Sequence, residues 1–173
     1  MEKLFKSIAL FMFLITFISC SEEEKPVVSK TVPAVISADK TTLNYQVDIN
    51  RVATAIDPSM KFEWAKADYG VNTPITYLLE IPTKYPKNDV LRDTVIVVTE
   101  FSARTNFESY VSGSYQIPRA DLRNRILRLN NIKAIDITKP DQVILFRLKS
   151  FIGTNENPSK IIYSNNFEFT LNP

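Results

Sequence analysis

Beyond Lys40 the chain follows a two-residue rhythm of apolar and polar positions, which marks strands with one face in a core. Leu43 and Tyr45 begin it. Met60, Phe62 and Trp64 share one side of a short strand, with Lys61, Glu63 and Ala65 on the other. Ile75, Tyr77, Leu79 and Ile81 repeat the pattern, and Pro82 is expected to end that strand. Thr94 to Phe101 is rich in β-branched residues and apolar on both sides, as suits a central strand. Within Val143 to Ile152, the set Ile144, Phe146 and Leu148 alternates with Arg147 and Lys149 outside. Phe167, Phe169 and Leu171 alternate with Glu168 and Thr170. Turn chemistry separates these runs at Asp57-Pro58, Asp68-Tyr69-Gly70, Pro86 to Asp89 and Gly153 to Pro158.

One segment departs from this rhythm. After Pro118, Leu122, Ile126 and Leu129 fall at helical spacing, with Arg119, Arg123, Arg125 and Arg128 mostly off that stripe. This predicts a short amphipathic helix ending near Asn130-Asn131, its arginines forming a solvated outer face. Six or seven strands, one inserted helix and a tryptophan on an early strand predict an all-β fold. The expected form is a two-sheet sandwich of immunoglobulin or fibronectin type III kind.

The first residues carry a different pattern. Lys3 and Lys6 precede an almost unbroken apolar run from Ile8 to Ile18, and Ser19-Cys20 follows at once. About a dozen residues at ~1.5 Å rise each fall well short of a ~30 Å bilayer core, so the run reads as an export signal. A cut before Cys20 would set the bulky Phe17 at −3, which disfavours the ordinary secretory peptidase. Ile18-Ser19-Cys20 resembles the end of a lipobox, and Cys20 is the expected lipid-attachment residue. It is the only cysteine, so no disulfide can form within one molecule. Two or three acyl chains at ~0.8 kcal/mol per buried methylene would anchor the chain stably. Ser21-Glu22-Glu23-Glu24-Lys25 resembles the surface-export signal of Bacteroidetes lipoproteins, and also reads as a solvated tether. The expected location is the outer membrane at the cell surface, with its periplasmic face as the alternative.

Pro26 to Lys40 is polar and extended, without periodicity. The expected organisation is therefore a signal peptide over 1–19, a lipidated cysteine and tether over 20–38, and a sandwich over 39–173. The net charge is +2 with both signs interspersed, and no basic stripe points to nucleic acid. With no histidine and one cysteine expected to be acylated, His-based acid–base catalysis, cysteine nucleophiles and His/Cys zinc sites are excluded. The three glycines, Gly70, Gly113 and Gly153, lie too far apart for a phosphate loop. No cofactor is expected.

Phe62-Glu63-Trp64-Ala65-Lys66-Ala67-Asp68-Tyr69-Gly70, followed by Pro74-Ile75-Thr76-Tyr77-Leu78-Leu79-Glu80-Ile81, resembles the N-terminal domain of SusE-type outer-membrane lipoproteins of Bacteroidetes. The similarity extends through Leu122 to Leu129 and Val143 to Phe151, and closes at Tyr163-Ser164-Asn165-Asn166-Phe167. That resemblance implies a lipid-anchored outer-membrane protein of a glycan-uptake system, working beside a SusC-like transporter and a SusD-like partner. It also implies a domain that is chiefly a spacer, since the later, sugar-holding domains of the family have no counterpart up to Pro173.

Three functions follow as expectations. The first is a non-catalytic scaffold or accessory module of polysaccharide capture, or a generic surface adhesion module. The second is a stand-alone glycan-binding module, with Tyr69 and Tyr110 as the platform and Tyr85 and Tyr115 as further candidates near loops or strand ends. The third is an enzyme, for which Glu63, Asp68, Glu80, Asp93 and Glu100 supply carboxylates but no pair is marked by spacing. Scaffolding is the expected role and catalysis is not expected. Asn88, Asp89 and Asp93 offer oxygen ligands to calcium without the loop pattern of an EF-hand. No metal site is expected.

Overall fold

The structure is a computed structural model and describes residues 31–50, 58–153 and 159–173. The segment expected to be a signal peptide, Cys20 and most of the expected tether lie outside the described residues. Among the described residues, nine strands and few helices make an all-β sandwich of two sheets. Strands β1 (Val35–Ala38), β3 (Pro58–Ala65) and β6 (Ser114–Pro118) form the smaller sheet, in the order β1-β3-β6. The larger sheet runs β2 (Thr42–Asn44), β9 (Phe167–Asn172), β7 (Gln142–Ile152), β4 (Ile75–Lys87) and β5 (Val90–Phe101), with β8 (Ser159–Tyr163) also paired to β7. All these pairs are antiparallel except β2 with β9.

The predicted alternation is what closes the sandwich. Met60, Phe62 and Trp64 point from β3 into the core and meet the inward residues of the larger sheet. Phe62 lies 4.9 Å from Phe146, and Trp64 lies 4.9 Å from Phe101 and 6.2 Å from Tyr77, measured between ring centroids. The indole N–H of Trp64 is buried without a hydrogen-bond partner. Leaving that N–H unpaired costs about 1–3 kcal/mol, which the packing of the indole against Phe101 and Tyr77 offsets.

Helix α1 (Phe107–Ser112) crosses from β5 to β6 over one end of the core, and helix α2 (Arg119–Asn131) crosses from β6 towards β7. In α2 the predicted stripe of Leu122, Ile126 and Leu129 is fully buried, with Pro118 at the N-cap. Its outer face is not wholly given to solvent, because Arg125 donates to the Val98 carbonyl at 3.3 Å. Gly113, at φ +67, follows α1; its carbonyl accepts the Trp64 N–H at 2.8 Å. A Cβ at that glycine would lie 2.6 Å from the Trp64 carbonyl oxygen.

Five expectations need correction. Thr94 to Phe101, read as a central strand, lies in β5 at the edge of the larger sheet, with Val95 and Val97 exposed. Residues 35–38, expected inside the tether, form β1 and bury Ala34 and Ile36 in the core. Tyr45, expected to continue a strand, begins a π-helical turn (Tyr45–Ile49), because the Asn44 side chain accepts the N–H groups of Gln46 and Val47. Helix α1 was not foreseen. Finally β4 does not stop at Pro82 but runs on to Lys87, where Asn88 (φ 51) and Asp89 (φ 60) make a two-residue hairpin turn into β5.

Candidate functional site

The tyrosines proposed for a sugar platform do not converge. Tyr69 is 0 % exposed, with its hydroxyl 3.0 Å from Ser150 Oγ, so it is a core residue that ties the turn after β3 to β7. This corrects its assignment as a platform; burial pushes its phenol pKa up. Tyr110 is half-buried on α1, its ring 6.4 Å from Tyr77 and its face 5.3 Å from the Lys66 ammonium. Tyr115 packs on Phe101 at 5.2 Å, and its pKa is likewise raised by burial. Tyr85 sits on the far hairpin, at the opposite end of β4 from Tyr110.

Four of the five candidate carboxylates are each engaged by a different group. Glu63 pairs with Lys61, and Asp68 accepts the Gly70 N–H at 2.7 Å. Glu80 is buried against Arg147, which donates to Oε2 from two nitrogens at 3.2 and 3.3 Å. Asp93 faces Lys84 at 3.8 Å across the hairpin. Asn88 and Asp89 are consumed in the turn, and among the described residues no group of three or more His, Cys, Asp or Glu is placed to hold a metal.

What the fold builds instead is a cleft of about 510 Å³ between the outer halves of β4 and β7. Its cause is Pro82. The main chain of Leu148 is turned to the β8–β9 side, since its N–H donates to Ser164 Oγ at 2.8 Å and its carbonyl accepts the Ser164 N–H at 2.9 Å. Strand alternation therefore turns the main chains of Arg147, Leu145 and Val143 towards β4. The β4–β7 ladder ends at the pair Glu80–Arg147. The next bond would need an N–H from residue 82, and proline has none. Beyond that point the strands part, and the main-chain groups of Leu145 and Val143 face the opening.

Leu129, Ala134, Ile135 and Ile144 give this cleft an apolar floor, while Lys84, Asp93 and Arg147 stand at its rim. Arg147 is fixed by Glu80 and lies 4.1 Å over the Tyr163 ring. A strand edge above an apolar floor is suited to an extended polypeptide, which supplies alternating amides and side chains. The sequence signal for it was Pro82 inside a run of alternating residues, read as an end rather than a parting of strands. No family model, curated protein or solved structure matches this chain.

Proposed function

We propose that the chain is a non-catalytic lipoprotein, anchored through Cys20 at the outer membrane, that serves as a scaffold or accessory module in SusE-like glycan uptake. The sandwich is read as immunoglobulin-like. The order β1-β3-β6 against β9-β7-β4-β5 fits an A-B-E sheet facing a G-F-C-C′ sheet, with β2 added beside β9.

One observation carries the scaffold reading: the residues that resemble the family are spent on framework bonds. Trp64 fills the core, and Tyr69 hydrogen-bonds to Ser150. Asn165 bridges the two sheets by accepting the Ile36 N–H at 2.8 Å and donating to the Ile36 carbonyl at 3.0 Å. The cleft, with its main-chain edge, favours a protein partner over a glycan. SusC- and SusD-like proteins are the proposed neighbours.

The test is titration of the purified lipoprotein with soluble oligosaccharides, together with recovery of the transporter pair on the tagged protein. Scaffolding predicts no saturable sugar binding and recovery of both neighbours. Saturable binding that Tyr110→Ala abolishes would instead make this a stand-alone carbohydrate-binding module. The anchor is tested separately: a Cys20→Ala variant should leave the membrane fraction.

A further inference from the structure

We propose that the α1 end of the sandwich docks on the lipid bilayer, with Phe107 and Val111 entering the headgroup layer and Lys66 and Arg104 meeting lipid phosphates. This rests on the Cys20 anchor proposed above and adds a second, non-covalent contact to it.

The path of the chain places that end nearest the membrane. Val32 bridges to Asp68 by reciprocal main-chain hydrogen bonds of 2.7 and 2.9 Å, and Val35 then pairs with Ala65. The polypeptide thus enters the domain where β3 finishes. Helix α1 lies at the same end, since Gly113 behind it bonds to Trp64 and the Tyr110 ring carries Lys66. Ten residues lie between Cys20 and Thr31, eleven Cα-to-Cα steps in all. Fully extended they reach at most about 40 Å. The hairpin tip lies at the other end of the thirteen-residue β4, roughly 40 Å further along at ~3.3 Å per residue. An anchored chain thus keeps its α1 end near lipid even with a slack tether, whereas the hairpin tip reaches lipid only when the domain lies over or the tether is drawn out.

The side chains at that end suit the contact. Phe107 is 60 % exposed and Val111 51 % exposed, one helical turn apart, while no residue of α1 is fully buried. Val32, 44 % exposed, is at the same end. Six residues are too few for a helix to stand by itself. Here the geometry is held from below, by Tyr110 against Tyr77 and by Asn106 Nδ2 donating to Thr99 Oγ1 and the Glu100 carbonyl. Apolar residues are thus fixed outward, with Lys66 over the Tyr110 ring and the exposed Arg104 three positions before Phe107, the composition of an interfacial lipid contact. Glu108 on α1 and Asp68, whose carboxylate accepts the Gly70 N–H and keeps its charge, both oppose these cations, so the apolar pair carries the contact.

The experiment uses the full acylated protein in phosphatidylethanolamine–phosphatidylglycerol vesicles doped with brominated phospholipid. Phe107→Trp is compared with Leu91→Trp, whose position on the far hairpin is 69 % exposed. The native Trp64 is buried and gives both variants the same background. Lipid bromine should quench Phe107→Trp at least about twofold more strongly than Leu91→Trp. Equal quenching, on protein whose mass includes the acyl chains and which floats with the vesicles, overturns the docking and leaves the anchor standing. A Phe107→Trp signal that follows protein concentration rather than lipid bromine marks contact between copies and also overturns it. A chain without acyl mass removes the anchor, and the docking proposal falls with it.

Discussion

Residues 75–81 and 82–87 belong to one strand, yet they live in different surroundings. Thr76 to Ile81 are buried, flanked by β5 on one side and β7 on the other. From Pro82 onwards the strand keeps only its β5 partner and runs outward as a two-stranded arm, half-buried to exposed. The same local geometry is therefore framework in one half and an open edge in the other, and the change falls at Pro82, the residue without an N–H. The lesson is that a strand's role depends on how many of its sides are paired, not on its own pattern.

The largest contrast between the halves is energetic. Trp64→Ala, which empties the space between Tyr77 and Phe101 beside the buried half, is expected to cost about 3–5 kcal/mol in urea unfolding. Leu91→Ala on the arm is expected to stay within about 0.5 kcal/mol. Comparable losses at both positions would mean that the arm folds as part of the core.

Alkaline titration isolates the framework end by a different route. Burial pushes the Tyr77 phenol from 10.0 up to about 12, and Tyr69 and Tyr115 are raised for the same reason. A raised phenol pKa means that the folded state holds its proton longer than the unfolded chain. That stabilisation is complete below pH 10 and is lost as pH rises towards about 12, a fall on the order of 2–3 kcal/mol from Tyr77. Ultraviolet phenolate absorbance should show Tyr77 ionising together with loss of the core; a Tyr77 that titrates before unfolding would place it in a wetter site.

Asn165→Ala tests the bridge between sheets. It removes both bonds to Ile36 and leaves the outward edge of β1 uncovered, at an expected cost of about 1–2 kcal/mol. Hydrogen exchange should quicken at Ile36 more than at any residue of the arm.

Period-two alternation made the long strands legible, because each has one face in the core. Leu122, Ile126 and Leu129 likewise marked α2 by burying a single stripe. The short elements were not legible, for a physical reason. β1 has one large buried residue, Ile36, so too few positions repeat for a period to show. In α1 the apolar Phe107 and Val111 point outward, which inverts the stripe that identifies a helix. Tyr69 was misread as a loop aromatic because a turn carries no period, and its burial depends on Ser150, 81 positions away. The cleft was hidden more deeply: which side of β4 Pro82 leaves unpaired depends on the register with β7, a non-local fact.

The smallest expected effect is also the sharpest test of the contrast. Pro82→Thr restores the N–H that the β4–β7 ladder lacks at its next step, opposite Leu145. Threonine suits a strand, and position 82 already pairs with Val95 on its other flank. If the proline alone holds the strands apart, the ladder should extend and the cleft should narrow. The amide of Leu145 should then exchange more slowly in Pro82→Thr than in the wild type. Stability should shift by less than about 1 kcal/mol, since one exposed hydrogen bond is gained while proline's restriction of the unfolded chain is lost. Unchanged exchange at Leu145 would show that Leu129, Ala134 and Ile135 on the cleft floor prop the strands apart without help from Pro82. The opening would then be a property of the α2 crossover rather than of one imino acid, and the division of β4 into framework and edge would have a different author in the sequence.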